Sequence, residues 1–493
     1  MIQLRELLAG ADVVEIKGDP SVEIDALAYD SRRAEPGTLF FCVPGQTSDG
    51  HAFAPFAVQA GAPALVVERE LELDVPVTQA VVTDARAAMA HAAVRLYGDP
   101  TAELQVVGIT GTNGKTTTAF LVRHLLEAAG VQTGLLGTVK RVVGGISEEV
   151  VRTTPEAIDL QATFRRMLEG GDRACAMEVS SHALALRRSD GIRFAVAAFT
   201  NLTQDHLDFH ADMEDYFQAK RRLFVSDAAD RAVVNLDDSY GERLLAEVDA
   251  TTFSAKGDPR ATYRAVDVSF DAGGSRFRLE HPKGQVHVST PLPGQFNVAN
   301  ALAAIAIAAE LGIDVGASAR ALADAAQVPG RFEPVDEGQP FAVLVDYAHT
   351  PDSLENVLRA AREVTEGRLI AVFGCGGDRD RDKRPLMGEI GARLSDLCVV
   401  TSDNPRSEDP VAIIDEILEG IPGGASEEVL VEPDRRAAIA LALEAARPHD
   451  TVVIAGKGHE QGQEFEGGRK LPFDDRDVAR EELRRLTAPA AGA

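Results

Sequence analysis

The stretch that most constrains this chain is "LQVVGITGTNGKTTTAFLVRHLLEAAG", residues 104–130. A short apolar run enters a loop carrying Gly108, Gly111 and Gly114, and a long amphipathic segment opens at Lys115. Strand, Gly-rich loop and helix in that order begin a βαβ unit. Small residues let backbone N–H groups approach phosphate oxygens, and the helix N-terminus adds its positive end. On this reading Gly111, Thr112, Asn113 and Gly114 cradle phosphates. Lys115 reaches the terminal phosphates, Thr116 helps hold Mg²⁺, and Thr117 completes the helix start. The general pattern places a glycine five positions before Gly114, where this chain has Ile109. ATP binding is the inference, against the plainer reading of a Gly-rich turn before a helix.

A nucleotide site serves motors, switches, kinases and ligases alike, so the rest of the chain must choose. At 493 residues it exceeds one ordinary core. The pattern is α/β throughout, and three units are expected: a small one over 1–102, a central ATP-binding one over 103–332, and a Rossmann-like one over 333–493. The last repeats strand, loop and helix through "LIAVFGC", "LCVVTSD" and "TVVIAGKG", which implies a parallel sheet. A net charge of −27 argues against nucleic acid or an anionic membrane as partner, but leaves room for an anionic small substrate in a local basic cluster. Four scattered cysteines without a CxxC pair suit reduced, buried thiols. No run of 18 apolar residues occurs, and the first residues form a short amphipathic helix rather than a leader. A cytoplasmic monomer is the expectation, with a low-complexity, disordered tail at "TAPAAGA".

In open parallel sheets ligands gather at the carboxyl ends of strands. "RACAMEVSSHAL" ends a strand on Glu178, placed to serve a phosphate-bound Mg²⁺. "NLTQDHLDFH" sets Asp205, His206, Asp208 and His210 after another strand, with His182 nearby in sequence, as ligands or their supports. A zinc site is disfavoured, because neither paired cysteines nor HExxH is present.

"TGTNGKTT", "MEVSSHAL", "NLTQDHLDFH" and "QFNVANALAA" resemble, in order and spacing, the central domain of the Mur ligase family, the ATP-dependent amino-acid ligases of peptidoglycan precursor synthesis. The family's own loop has the shortened glycine pattern seen here. "DSRRAEPGTLFFCVPGQTSDG", "VDYAHTPDSL", "FGCGGDRDRDKRPLMG", "DNPR" and "AGKGHE" are similar to the branch that adds the third residue of the stem peptide. The resemblance implies catalytic roles for Lys115, Glu178, His206 and Lys220, with Thr116, Glu178, His206 and Lys220, if carboxylated, on Mg²⁺. Read from the residues alone, Lys220-Arg221-Arg222 is an exposed basic helix face. Asn297 and Arg331 would lie on the nucleotide. Ser31 and the loop Gly45, Gln46, Thr47 and Ser48 would face UDP, while Thr153, Thr154, Ser180 and Arg188 hold the peptide part. Leu186 stands where some relatives have a glutamine.

For the incoming amino acid the resemblance implies Arg379, Asp403, Asn404, Pro405, Arg406, Gly456 and Glu460. A substrate with two zwitterionic centres needs guanidinium forks for carboxylates and acceptors for ammonium groups. Arg379 and Arg406 fit the first need, Asp403 and Glu460 the second. In the family, DNPR marks enzymes using meso-diaminopimelate, whose distal carboxylate lysine lacks. The implied reaction consumes ATP, the UDP-N-acetylmuramoyl dipeptide and meso-diaminopimelate through an acyl phosphate. The rivals are a lysine-adding relative, neighbouring Mur enzymes, folylpolyglutamate synthase, a P-loop switch or motor, and a catalytically dead binding protein.

Overall fold

The computed structural model describes residues 1–45, 48–148, 150, 152–225, 228–271 and 273–487. Gln46, Thr47 and the tail beyond Thr487 lie outside the described residues. The chain forms two units. The first comprises Met1–Thr110, Leu126–Ala198 and Ala219–Ala232, and the second Gly111–Leu125, Phe199–Gln218 and Val233–Ala493.

The first unit holds a five-stranded sheet in the order Val13–Lys17, Thr78–Val82, Ala64–Val67, Thr38–Phe41, Ala26–Ala28, parallel except at the first pair. Thr38–Phe41 and Ala64–Val67 are buried along their whole length, because both sheet faces are covered. Leu39, Phe41 and Val66 join the core with Ala85–Tyr97, whereas Phe40, Leu65 and Val67 pack with Ala54 and Ala57 on the opposite face. A second sheet centres on Ala174–Glu178, which runs parallel to Gln105–Thr110 on one side and Thr133–Leu136 on the other. Its register sets Glu178 opposite Ile109, at the strand end that leads into the glycine loop.

In the second unit Tyr263–Asp271, Gly274–His281 and Gly284–Thr290 form an antiparallel meander. The sequence reading passed over this meander, although its polar–apolar alternation was visible. The C-terminal sheet runs Glu333–Pro334, Ala342–Asp346, Thr451–Ala455, Leu369–Phe373, Leu397–Val400, Val429–Val431, antiparallel only at the first pair. Alternate strand residues feed two cores: Ala371, Phe373 and Val453 on one face, and Ile370, Val372 and Ile454 on the other. Thr451–Ala455 lies between Ala342–Asp346 and Leu369–Phe373, and the carboxyl ends of such parallel strands are where open α/β sheets take their ligands. The four cysteines are free and buried, and burial pushes the Cys42, Cys375 and Cys398 thiols up to about 12.

Candidate active site

The glycine loop joins Gln105–Thr110 to the helix Lys115–Ala128, as the sequence predicts. Two of its glycines have steric reasons. A Cβ on Gly111 would sit 1.9 Å from Thr200 Oγ1, and one on Gly114 would sit 2.5 Å from Asn300 Oδ1, with φ of 152° and 84°. Asn201 braces the loop: its carbonyl accepts from Thr112 N at 2.9 Å and its Oδ1 from Asn113 N at 2.8 Å. Lys115 Nζ donates to Gly111 O and Thr112 O at 2.8 and 2.7 Å, so the ammonium is held over the loop. Thr116 and Thr117 are buried at the helix start, and Thr116 Oγ1 accepts from Arg331 Nη2 at 3.1 Å. The Arg331 guanidinium also lies 4.5 Å over the Tyr347 ring. Asn297, in the first turn of Gln295–Glu310, is buried and donates to Pro293 O at 2.8 Å. Its Oδ1 accepts from Asn300 at 3.1 Å.

Beside this loop stands an acid–base cluster. His206 takes a left-handed φ of 57°, uncommon for a residue with a Cβ, and its Nε2 lies 3.3 Å from Asp205 Oδ2. Burial alone would raise the Asp205 pKa, but His206, His349, Lys383 and Lys115 hold it at about 2. Burial, helped by Lys383, lowers the His349 pKa, which keeps the ring neutral. Asp346 is the opposite case. It accepts from Phe332 N at 2.7 Å, and burial raises it to about 6 against the pull of Arg331. A carboxyl with a raised folded-state pKa keeps its proton while the unfolded chain has lost it, so stability falls as pH rises from about 4 to about 6. Asp346→Asn is therefore expected to gain unfolding temperature on the parent between pH 4.5 and pH 7.5, by the equivalent of roughly 2–3 kcal/mol. Thermal unfolding at the two pH values measures it, and an equal difference at both would contradict it.

Three loops after strands of the C-terminal sheet carry the amino-acid candidates. Asp403 and Asn404 are buried, and Arg406 follows with a φ of 52°. Arg406 is fixed through its backbone N to Glu464 O at 3.1 Å, Nε to Glu464 Oε2 at 3.1 Å, and Nη1 to Gly377 O at 2.7 Å. Among the described residues its Nη2 makes no hydrogen bond. DNPR is thus a turn docked on the chain near Phe465, with which Arg406 forms a bridge. Pro405 O would lie 1.9 Å from a Cβ on Gly377, so the DNPR and CGGDRD loops touch backbone to backbone. Arg379 is half exposed and reaches Asp208 at 3.4 Å. Glu460 accepts from Tyr347 OH at 3.3 Å and from Asn404 Nδ2 at 3.0 Å. Gly456, with a φ of 124°, turns the chain beside Asp403.

The first unit gathers the remaining candidates. Glu178 is buried, and its two oxygens accept from Thr138 N and Oγ1 at 2.8 and 3.0 Å. Among the described residues no cationic side chain pairs with it. Thr153 Oγ1 lies 3.0 Å from Thr138 Oγ1, and Thr154 Oγ1 donates to Glu178 O at 2.9 Å. Ser180 caps the short helix Ser181–Ala185, and its N donates to Thr154 at 3.2 Å. Arg188 Nε lies 2.9 Å from Glu156, a buried carboxylate that Arg86 and Arg152 also engage. Thr153 and Glu156 line a cavity of about 480 Å³ with Tyr29, Asp30 and Arg33, the segment that carries Ser31. Gly45 and Ser48 are exposed and joined by Gly45 N donating to Ser48 O at 2.9 Å. Lys220 corrects the sequence reading: it is not on an exposed face but 1% accessible, within Met213–Val225. Of the residues expected around Mg²⁺, Thr116 and His206 belong to the second unit, Glu178 and Lys220 to the first.

Sequence reasoning missed Lys457 and Arg384. Lys457 is fully buried between Asp403, Asn404 and Glu460. Arg384, also fully buried, ties Glu408 and Glu416 to Gly376 O and so supports the loop that faces Arg406. A lysine between two glycines and an arginine inside a charged run both look solvated in a sequence.

Comparison with known proteins agrees with this geometry. Family models match as Mur ligase family, catalytic domain, at residues 23–103, Mur ligase middle domain at 109–308, and Mur ligase, glutamate ligase domain, at 330–458. A UDP-N-acetylmuramoyl-L-alanyl-D-glutamate–2,6-diaminopimelate ligase of Syntrophomonas wolfei is 48% identical over 488 residues, 98% of this chain and 99% of the relative. The protein of the same name from Streptomyces coelicolor is 49% identical over 478 residues, covering 95% and 94%. A solved structure of a UDP-N-acetylmuramoyl-L-alanyl-D-glutamate–2,6-diaminopimelate ligase superposes with a TM-score of 0.69 at 32% identity, over 99% of this chain and 100% of that one. With identity near one half along the full length of such relatives, this chain belongs to the Mur ligase family.

Proposed function

We propose that the chain is an ADP-forming ligase that joins meso-2,6-diaminopimelate to UDP-N-acetylmuramoyl-L-alanyl-D-glutamate in peptidoglycan precursor synthesis. The observation that carries this reading is one unit holding both the phosphate loop and a strand-end cluster of Arg406, Asn404 and Glu460. A switch or motor has no use for the second of these. The division of labour is 1–102 for UDP, 103–332 for ATP and 333–493 for the amino acid, in a cytoplasmic monomer. Among the described residues no helix is long and apolar enough to cross a membrane.

In this mechanism ATP phosphorylates the D-glutamyl γ-carboxylate, giving an acyl phosphate and ADP. The amine at the L-centre of diaminopimelate attacks the acyl carbon, and phosphate leaves from the tetrahedral intermediate. Lys115 stabilises charge on the transferring phosphoryl group, while the braced glycine loop orients it. Arg188, Ser180, Thr153 and Thr154 hold the peptide end, and Ser31 with the Gly45–Ser48 segment the UDP end. Arg406 and Arg379 take the amino acid's carboxylates and Glu460 an ammonium. Asn297 and Arg331 stand on the nucleotide side. Among the described residues Glu178 is a buried carboxylate without a cationic partner, which fits a divalent cation. Mg²⁺ held by Thr116, Glu178, His206 and carboxylated Lys220 would neutralise phosphate charge.

ADP release that requires all three substrates tests the reaction, and release at the same rate without an amino acid would contradict it. Lys220 is buried, and carboxylation of its amine by CO₂ is the role the family resemblance implies for it. A ¹³C carbamate resonance from labelled bicarbonate is expected in the parent protein and not in Lys220→Ala. Its absence from the parent would remove the carboxylated lysine from the account.

A further inference from the structure

Lys457 forms a buried contact that the mechanism does not use. Its side chain is fully inaccessible, and its ammonium has three donors for three acceptors: Asn404 Oδ1 at 2.7 Å, Glu460 Oε2 at 3.2 Å and Asp403 Oδ1 at 3.3 Å. Asn404 Oδ1 also accepts from Glu464 N at 3.0 Å, which orients the amide so that Nδ2 faces Glu460. One ammonium therefore welds the loop that carries Arg406 to the loop that carries Glu460. The turn around it has little slack, since a Cβ on Gly458 would lie 2.7 Å from Gly330 O.

The charges add a second consequence. Asp403 and Glu460 bring two negative charges and Lys457 one positive, while nearby Arg435 is neutralised by Asp475 at 2.7 Å. Over these five side chains one net negative charge remains, and it has an outlet at Glu460, whose side chain is 31% accessible and whose Oε1 meets Tyr347 OH at 3.3 Å. We propose that Lys457 is a positioning and specificity-determining residue: it orients Asn404 and Glu460, and it sets the cluster's charge to suit a net-neutral amino acid with two ammonium and two carboxylate groups over a net-cationic one. Without this resident cation the cluster carries one more negative charge, which favours L-lysine, net +1, relative to meso-diaminopimelate, net zero.

The inference rests on the proposed amino-acid site, and the test separates the two. Steady-state constants for ATP, the UDP-dipeptide, meso-diaminopimelate and L-lysine are measured for the parent, Lys457→Met and Lys457→Arg, with unfolding temperatures. Lys457→Met is expected to raise KM for meso-diaminopimelate about 10- to 100-fold, with the other two KM values within about threefold. It also shifts the lysine-to-diaminopimelate ratio of kcat/KM toward lysine. Lys457→Arg keeps the charge, so it raises that KM while leaving the ratio near the parent's. If Lys457→Met does not fold, an unshifted KM or a lysine-shifted ratio in Lys457→Arg overturns the inference by itself. An unchanged KM for diaminopimelate in Lys457→Met, or an equal rise in all KM values, also overturns it. A parent that does not use meso-diaminopimelate overturns the site reading itself, and this inference with it.

Discussion

Replacing Lys115 by methionine is expected to lower the rate of ADP release by about a thousandfold or more. Methionine keeps the length and most of the volume of the side chain but removes the charge. The Lys115 ammonium is fixed on Gly111 O and Thr112 O, so its position is set by the loop before any phosphate arrives. The loop's own geometry survives the substitution, because it depends on Thr200, Asn201 and Asn300 rather than on Lys115. The loss should therefore fall on kcat, where charge develops on the transferring phosphoryl group, more than on the KM for ATP. Initial rates at saturating ATP check this, and a kcat within tenfold of the parent would contradict the assignment.

Arg406→Ala is expected to lower kcat/KM for meso-diaminopimelate about 30- to 150-fold, equivalent to about 2–3 kcal/mol. The fork is held at Nε by Glu464 and at Nη1 by Gly377 O, which leaves Nη2 aimed by the scaffold rather than by the ligand. Preorganisation of this kind makes the loss large, because the intact side chain gives up little freedom on binding. Arg406→Lys is expected to recover only a small part, since a point charge cannot reproduce the bonds to Glu464 and Gly377 and still offer a donor. Activity with L-lysine, which has no distal carboxylate, should change far less in both variants. Equal losses with both amino acids would place Arg406 in the loop's structure rather than in recognition.

The glycine loop and the strand-end positions of Glu178, Asp403 and Gly456 were legible because the α/β alternation is regular and loops at strand ends are short. Lys220 was misread for a physical reason. Three consecutive basic residues look like a solvated face, but a helix sets successive residues about 100° apart and so spreads three of them over about 200° of arc. Tyr216, Phe217, Lys220 and Leu223 share a spacing that puts them on one stripe, and all four are buried. Lys457 was hidden in another way. A buried lysine is legible only from the acceptors around it, and two of these, Asp403 and Asn404, lie more than fifty positions away. Arg384 owes its burial to Glu408 and Glu416 in the same manner. The meander over Tyr263–Thr290 needed only its alternating pattern, yet the α/β rhythm of the flanking segments masked it.

Amino-acid selectivity in the complete reaction decides whether this chain is a diaminopimelate-adding ligase. With ATP and UDP-N-acetylmuramoyl-L-alanyl-D-glutamate present, meso-diaminopimelate and L-lysine are supplied separately and in competition, and the nucleotide product is weighed by mass spectrometry. The expected result is a product heavier by one diaminopimelyl residue, ADP in equal amount, and a kcat/KM at least about a hundredfold above that for lysine. A lysyl product formed as readily, or ADP released without amide formation, would contradict it.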